Sequence, residues 1–208
     1  MPDLITDYTR TARFIGDFYA DIMGTLPHAT ERNVISNTVE LQQAAGDVSL
    51  LICYSATVFR TGYVEISDRN KTFSQRRESG QPAASDPVAL IHDAVKPIEG
   101  EVVVGKHRVN AFYGTGLDLV LRANDIETLI ILGYATSGVV LSTLRYAADL
   151  DYRLLVVEDC CADQQPDVHN FLTRNVFPRQ ADVVAPKDVV RILKAVRGFL
   201  IQSDHLVG

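Results

Sequence analysis

The chain has 208 residues, 47% of them hydrophobic and 22% charged, the balance of one soluble globular domain whose core needs no disulfide or structural metal. A formal net charge of −6 disfavours nucleic acid as a partner, because phosphate binding needs a basic face. Apolar runs such as Leu129 to Leu132 are strand-sized, so neither a transmembrane span nor a membrane partner is expected.

The N-terminal "MPDLITDYTRTARF" carries acids and no apolar segment of the kind a secretory signal needs, so the cytoplasm is the expected compartment. A first strand is predicted over Ala12–Asp17. A helix from Glu31 to Ala45 follows, with Val34, Thr38, Leu41 and Ala45 at helical spacing, Thr30 as N-cap and Gly46 as its stop. The second strand is expected over Val48–Tyr54. From Ser55 to Pro87 the chain is polar and rich in turn formers, a long excursion of the kind that is functional or mobile in a compact domain.

Regular alternation then resumes. A strand over Glu101–Gly105 precedes a helix after Thr115 with Leu117, Val120 and Leu121 on one stripe. A buried strand over Thr128–Leu132 runs into a helix starting near Ser137 that buries Val140, Leu144 and Ala147. Strands over Arg153–Glu158 and Ala181–Val184 follow, and the last helix begins at Pro186 with Val189, Ile192, Leu193 and Val196 inward. This alternation is the pattern of a parallel sheet covered by helices on both faces, in one domain over residues 1–208.

In such a sheet ligands bind beyond the carboxyl ends of the strands, where loops and helix N-termini converge. Asp17 ends the first predicted strand, Lys106 follows the third, Tyr134 to Val139 follow the fourth, and Asp159 with Cys160 follows the fifth. A carboxylate and an ammonium meeting there would stabilise each other's charge, while desolvation pushes both toward neutrality, a balance that suits an acid for proton transfer. The plainer readings are that Asp17 caps a turn and that Lys106, in "GKHRVN", belongs to a solvated basic face. His107 points to the opposite side of an extended segment and reads as a structural or surface histidine.

Other motifs fall short. "YGTGLDLVL" has Gly114 and Gly116 but Leu119 where a dinucleotide turn needs a third glycine, so no nucleotide cofactor is expected. Ser137 lies in "ATSGV", with Ala135 and Val139 where a nucleophile elbow has glycines, and reads as an N-cap. The five histidines are scattered singly without an H-E-x-x-H pair, and no metal is predicted. Cys53, Cys160 and Cys161 lack zinc spacing, and the adjacent pair would bridge only with strain. Cys160 is either a small buried residue or a thiol reaching the cleft.

The stretch "EVVVGKHRVNAFYGTGLDLVLRANDIETLIILGYATSGVVLSTLRYAADLDYRLLVVEDCCAD", with the later "VFPRQADVV", resembles the isochorismatase-like hydrolases, the cysteine hydrolase superfamily. The resemblance implies a doubly wound, three-layer α/β domain with a six-stranded parallel sheet, assembled as a homodimer or higher homo-oligomer. It also implies an Asp, Lys, Cys triad, in which Asp17 and Lys106 match the first two members. Val139, six residues after Gly133, stands where the family nucleophile sits.

By this resemblance the function is hydrolysis of a small carboxylated or cyclic metabolite without a covalent thioester. Vinyl-ether cleavage is the form it suggests, with Asp17 protonating the substrate and Lys106 binding a carboxylate or tuning the acid. Tyr134, Ala135, Thr136, Ser137 and Gly138 would line the substrate site, and the branched Val139 would narrow it. The alternatives are a catalytically silent member that binds a small molecule or a protein, and an amidohydrolase that uses Cys160.

Overall fold

The computed structural model describes residues 4–79 and 83–204. In chain order the elements are β1 (Thr11–Gly16), α1 (Ala20–Met23), α2 (Pro27–Glu31), α3 (Val34–Gly46), β2 (Leu51–Thr57), α4 (Lys71–Glu78) and β3 (Val102–Lys106). There follow α5 (Leu117–Ala123), β4 (Thr128–Tyr134), α6 (Leu141–Asp149), β5 (Arg153–Ala162), α7 (Pro166–Phe171), β6 (Asp182–Val184) and α8 (Pro186–Asp204). The six strands pair in parallel in the order β3-β2-β1-β4-β5-β6, the doubly wound α/β domain read from the sequence. None of the described helices is long and apolar enough to cross a membrane.

The strands are near-continuous apolar runs because both faces of the sheet are covered, and every residue of β1 is buried. From β1 the chain winds outward to β3, then crosses back to lay β4 on the other side of β1. The two halves therefore diverge between β1 and β4, and a crevice opens there at the carboxyl ends of the strands. Gly16 and Gly133 are register partners at that point. A Cβ on Gly133 would lie 2.1 Å from the Gly16 carbonyl oxygen, so the close approach of β1 and β4 requires a glycine.

Several boundaries differ from those predicted. The helix expected from Glu31 is two helices, because Pro27 starts α2 at its first turn and Asn33, left-handed at φ 55°, breaks the chain before α3. Thr30 is no cap: its hydroxyl donates back to the Leu26 carbonyl, and α3 runs through Gly46. The second strand starts three residues late, because Val48 to Leu50 turn off the end of α3 with Ser49 left-handed. That shift puts Ser55 and Thr57 inside β2 and out of the polar excursion.

The fifth strand runs on to Ala162. Its register with β4 is interrupted between Ile131 and Gly133, and the resulting bulge hid the continuation from a strict two-residue period. Residues 80–82 of the polar excursion lie outside the described residues; in its described part Phe59, Ile66 and Phe73 form a small second core, with the Phe59 and Phe73 rings 5.4 Å apart. Asn70 caps α4 by accepting from the Phe73 N–H at 3.2 Å, which fixes where that helix begins.

Candidate active site

Asp17 is the first residue beyond β1. It adopts φ 51°, a conformation that Asp tolerates, and its N–H donates to the Ser55 carbonyl at 2.9 Å. Lys106 ends β3, two strands away, and is the register partner of Thr57 on the intervening β2. Its side chain crosses over Thr57 and brings Nζ to 2.7 Å from Asp17 Oδ2. The meeting of acid and amine expected from the sequence is present, and neither group belongs to a solvated face: Lys106 is 1% exposed and Asp17 7%.

The Lys106 ammonium is fully engaged. It donates to Asp17 Oδ2 at 2.7 Å, to Thr57 Oγ1 at 2.7 Å and to the Arg108 carbonyl at 3.0 Å. An ammonium has three N–H donors, so none is left for a ligand. In this arrangement the Lys106 ammonium faces Asp17, Thr57 and the Arg108 carbonyl and not an open ligand position.

Burial pushes the Asp17 carboxyl above the usual carboxylate range, and Lys106, Tyr19 and Ser55 pull it back. Ser55 Oγ approaches Asp17 Oδ1 at 3.4 Å and Thr57 Oγ1 approaches Oδ2 at 3.5 Å. Burial, with the adjacent Asp17 charge, also raises the Tyr19 phenol far above its usual value, so its hydroxyl stays protonated while it accepts from the Thr57 N–H at 3.0 Å.

The hollow beside this pair has a volume of about 180 Å³. Asp17, Lys106, Tyr134, Ala135, Gly138 and Val139 line one side, and Thr72, Phe73 and Arg76 of α4 close the other. The excursion thus supplies a wall of the cleft. Its Arg76 was not foreseen: the guanidinium Nε is buried without a hydrogen-bond partner, whereas the adjacent Arg77 pairs with Asp68.

Val139 lines the hollow and also packs on Gly16. A Cβ on Gly16 would lie 2.8 and 2.9 Å from the two Val139 methyl carbons, so the branched side chain occupies room that Gly16 leaves. Gly16 interrupts an apolar strand for this reason.

The turn Thr136–Val140 is one wide helical turn with Gly138 out of helical geometry at φ −99° and ψ −107°, entered through a cis Tyr134-Ala135 peptide. Of the five predicted substrate-site residues, Tyr134, Ala135 and Gly138 line the hollow. Thr136 and Ser137 do not. Thr136 is fully buried on the reverse side, 2.8 Å from His169 Nδ1 and 3.0 Å from the Ala162 carbonyl. Ser137 caps nothing; its N–H donates to Asp163 Oδ2 at 2.7 Å, and the Gly138 N–H donates to the Ala135 carbonyl at 3.0 Å. Those two amides are unavailable to a substrate.

Behind the turn lies a hydrogen-bonded bracket. Asp163 is 4% exposed, and its own N–H donates to His28 Nδ1 at 3.2 Å. The His28 and His169 rings meet edge to face with centroids 4.9 Å apart. Burial and the nearby Arg32 and His28 hold His169 down at about 4, so the imidazole is neutral at pH 7. No sequence motif joins these residues, which come from α2, the end of β5 and α7.

The thiols lie elsewhere. Among the described residues, no cysteine lines the hollow. Cys160 sits inside β5 rather than after it, is fully buried, and burial pushes its thiol up to about 12. The Cys160 alternative is thereby corrected: a protonated, enclosed thiol is not a nucleophile. Asp159, also within β5, pairs with Arg32 at 2.6 Å and takes no part in the hollow. His107 is structural, with Nδ1 2.7 Å from the Val58 carbonyl.

Residues 11–188 match the isochorismatase domain family. The chain is 30% identical over 168 residues to N-carbamoylsarcosine amidase of Arthrobacter sp., covering 80% of this chain and 63% of that protein. It is 31% identical over 113 residues to maleamate amidohydrolase of Pseudomonas putida, covering 54% of this chain and 53% of that protein. The match thus spans less than two thirds of either relative. An isochorismatase family protein of Burkholderia thailandensis superposes with a TM-score of 0.75 at 26% identity, over 91% of this chain and 98% of that one.

Proposed function

The chain belongs to the isochorismatase family, and on that premise we propose that it is a hydrolase of a small metabolite that works by proton transfer through Asp17 rather than through a covalent thioester. The observation that carries this reading is the buried Asp17–Lys106 pair opening on a hollow without a thiol. The names of the relatives, N-carbamoylsarcosine amidase and maleamate amidohydrolase, support hydrolysis of small molecules as the general chemistry.

In this reading burial raises the proton affinity of Asp17 against the pull of Lys106, which suits the carboxyl to give and regain a proton, and the hollow holds the substrate against it. For a vinyl ether, Asp17 gives its proton to the terminal enol carbon, and water adds to the adjoining oxocarbenium carbon. Asp17 then takes a proton back from the added water, and the hemiketal collapses to an alcohol and a ketone. Lys106, Ser55 and Thr57 stabilise the carboxylate that exists between the two transfers. Val139 occupies the nucleophile position that the family resemblance indicates, and it cannot attack a carbonyl.

The test is turnover of a panel of small vinyl ethers and amides, with and without a carboxylate, by the purified chain and by Asp17→Asn. Cleavage by the wild type that collapses in Asp17→Asn supports the reading. No cleavage of any panel member by folded wild type would overturn it in favour of a silent binding module.

A further inference from the structure

We propose that Arg76 is the anion-binding residue of this hollow, and that the ligand it selects is a small molecule carrying a single carboxylate. The proposal builds on the hydrolase reading by naming the class of substrate, but its observations are those of a binding site and stand without catalysis.

Charge is the first of them. Asp17 and Lys106 cancel each other at 2.7 Å, and all three Lys106 donors are spent within the protein. Of the cations lining the hollow, Arg76 is the one whose charge is uncompensated: among the described residues no carboxylate pairs with it. Its neighbour on α4, Arg77, is held by Asp68 and by the Ile66 carbonyl at 3.4 Å. The helix thus carries one arginine that fastens it and one that faces the hollow unpaired.

Donor geometry is the second. A guanidinium has five N–H groups in a planar fork that matches a carboxylate in two parallel hydrogen bonds. Arg76 Nε is buried with no partner, and a buried donor left unmade is costly unless a ligand completes it. Thr72, one helical turn earlier, lies on the same wall, so the anion's surroundings are polar on that side and apolar at Phe73.

Support and size complete the case. Phe73 plugs into the small core with Phe59 and Ile66, and the Asn70 cap fixes the start of α4, so Arg76 is presented on an anchored helix. The volume of about 180 Å³ compares with cavities of about 150 Å³ that hold benzene, room enough for a compact molecule. One carboxylate on Arg76 and a reacting group beside Asp17 fill it.

The test is direct binding of propionate and benzoate, against propionamide and benzamide, by calorimetric titration at fixed low ionic strength. Wild type, Arg76→Lys, Arg76→Gln and Asp17→Asn are compared, each first shown to be folded by its thermal transition. The expected result is binding of the carboxylates and not the amides by wild type, a loss of at least tenfold in Arg76→Gln, and an intermediate loss in Arg76→Lys, whose point charge lacks the fork. Asp17→Asn should bind the carboxylates at least as tightly as wild type. Carboxylate affinity within twofold of wild type in Arg76→Gln would overturn the proposal, as would its loss in Asp17→Asn alone. If Arg76-dependent binding is found and no substrate is turned over, the hydrolase reading fails while this inference stands.

Discussion

The two sides of the turn Thr136–Val140 use buried polar groups in opposite ways. On the front, Asp17 and Lys106 are charged partners at 2.7 Å beside an open hollow. On the back, Thr136, His28 and His169 are neutral, and Asp163 spends its carboxylate on the Ser137 N–H at 2.7 Å and the Gln165 N–H at 3.3 Å. Burial raises the front acid's pKa and lowers that of the rear histidines, so the same desolvation raises proton affinity in front and disfavours charge on the imidazoles behind. Under the proposed function the front reacts and the rear holds the turn still.

Four changes break or sharpen that contrast. The largest effect is expected at the front, where Asp17→Asn keeps the shape but removes the transferable proton. Turnover should fall by about a thousandfold, roughly 4 kcal/mol of barrier, measured as kcat/KM on the best substrate of the panel.

The rear histidines should show themselves in stability rather than turnover. The folded pKa of His169 is about 4 against an ordinary 6.5, so between those values the unfolded chain binds the extra proton. Its contribution is complete above about pH 6.5 and is lost as pH falls toward about 4, up to about 3 kcal/mol in all. His28 shifts in the same direction. Urea unfolding at pH 7, 5.5 and 4.5 measures the slope, which should flatten in His169→Gln.

Between front and rear, Gly16 and Val139 form a size-matched pair. Gly16→Ala should cost about 2 kcal/mol through overpacking against the Val139 methyls, and Val139→Ala in the same chain should recover part of it. A coupling of about 1 kcal/mol in the double-mutant cycle, read by denaturant unfolding, is the expected sign of that contact. The smallest effect belongs to Asp163→Ala, which unpairs the Ser137 N–H. It should lower kcat about tenfold with KM little changed, and Asp163→Asn, which keeps an acceptor oxygen, should restore most of the loss.

What the sequence made legible follows from distance along the chain. The alternation of apolar strands and striped helices points to the doubly wound sheet, and the strand-end rule singles out Asp17, Lys106 and the Tyr134 to Val139 turn. The bracket was hidden because its contacts join residues far apart, such as Ser137 with Asp163 and Asp163 with His28, and hydrogen bonds of that span leave no periodic trace. Arg76 was hidden for a different reason. In "KTFSQRRE" the sole apolar residue is Phe73, too little to tell which of two adjacent arginines faces inward. The bulge in β5 misplaced Cys160 by making a strand interior look like a strand end.

Chemistry without a thiol is most directly examined by treating the native protein with iodoacetamide and following residual activity on the best substrate of the panel. If Asp17 carries the proton, activity stays complete, because Cys53, Cys160 and Cys161 are buried and held as thiols. Activity that disappears in step with alkylation of any one of the three would contradict it.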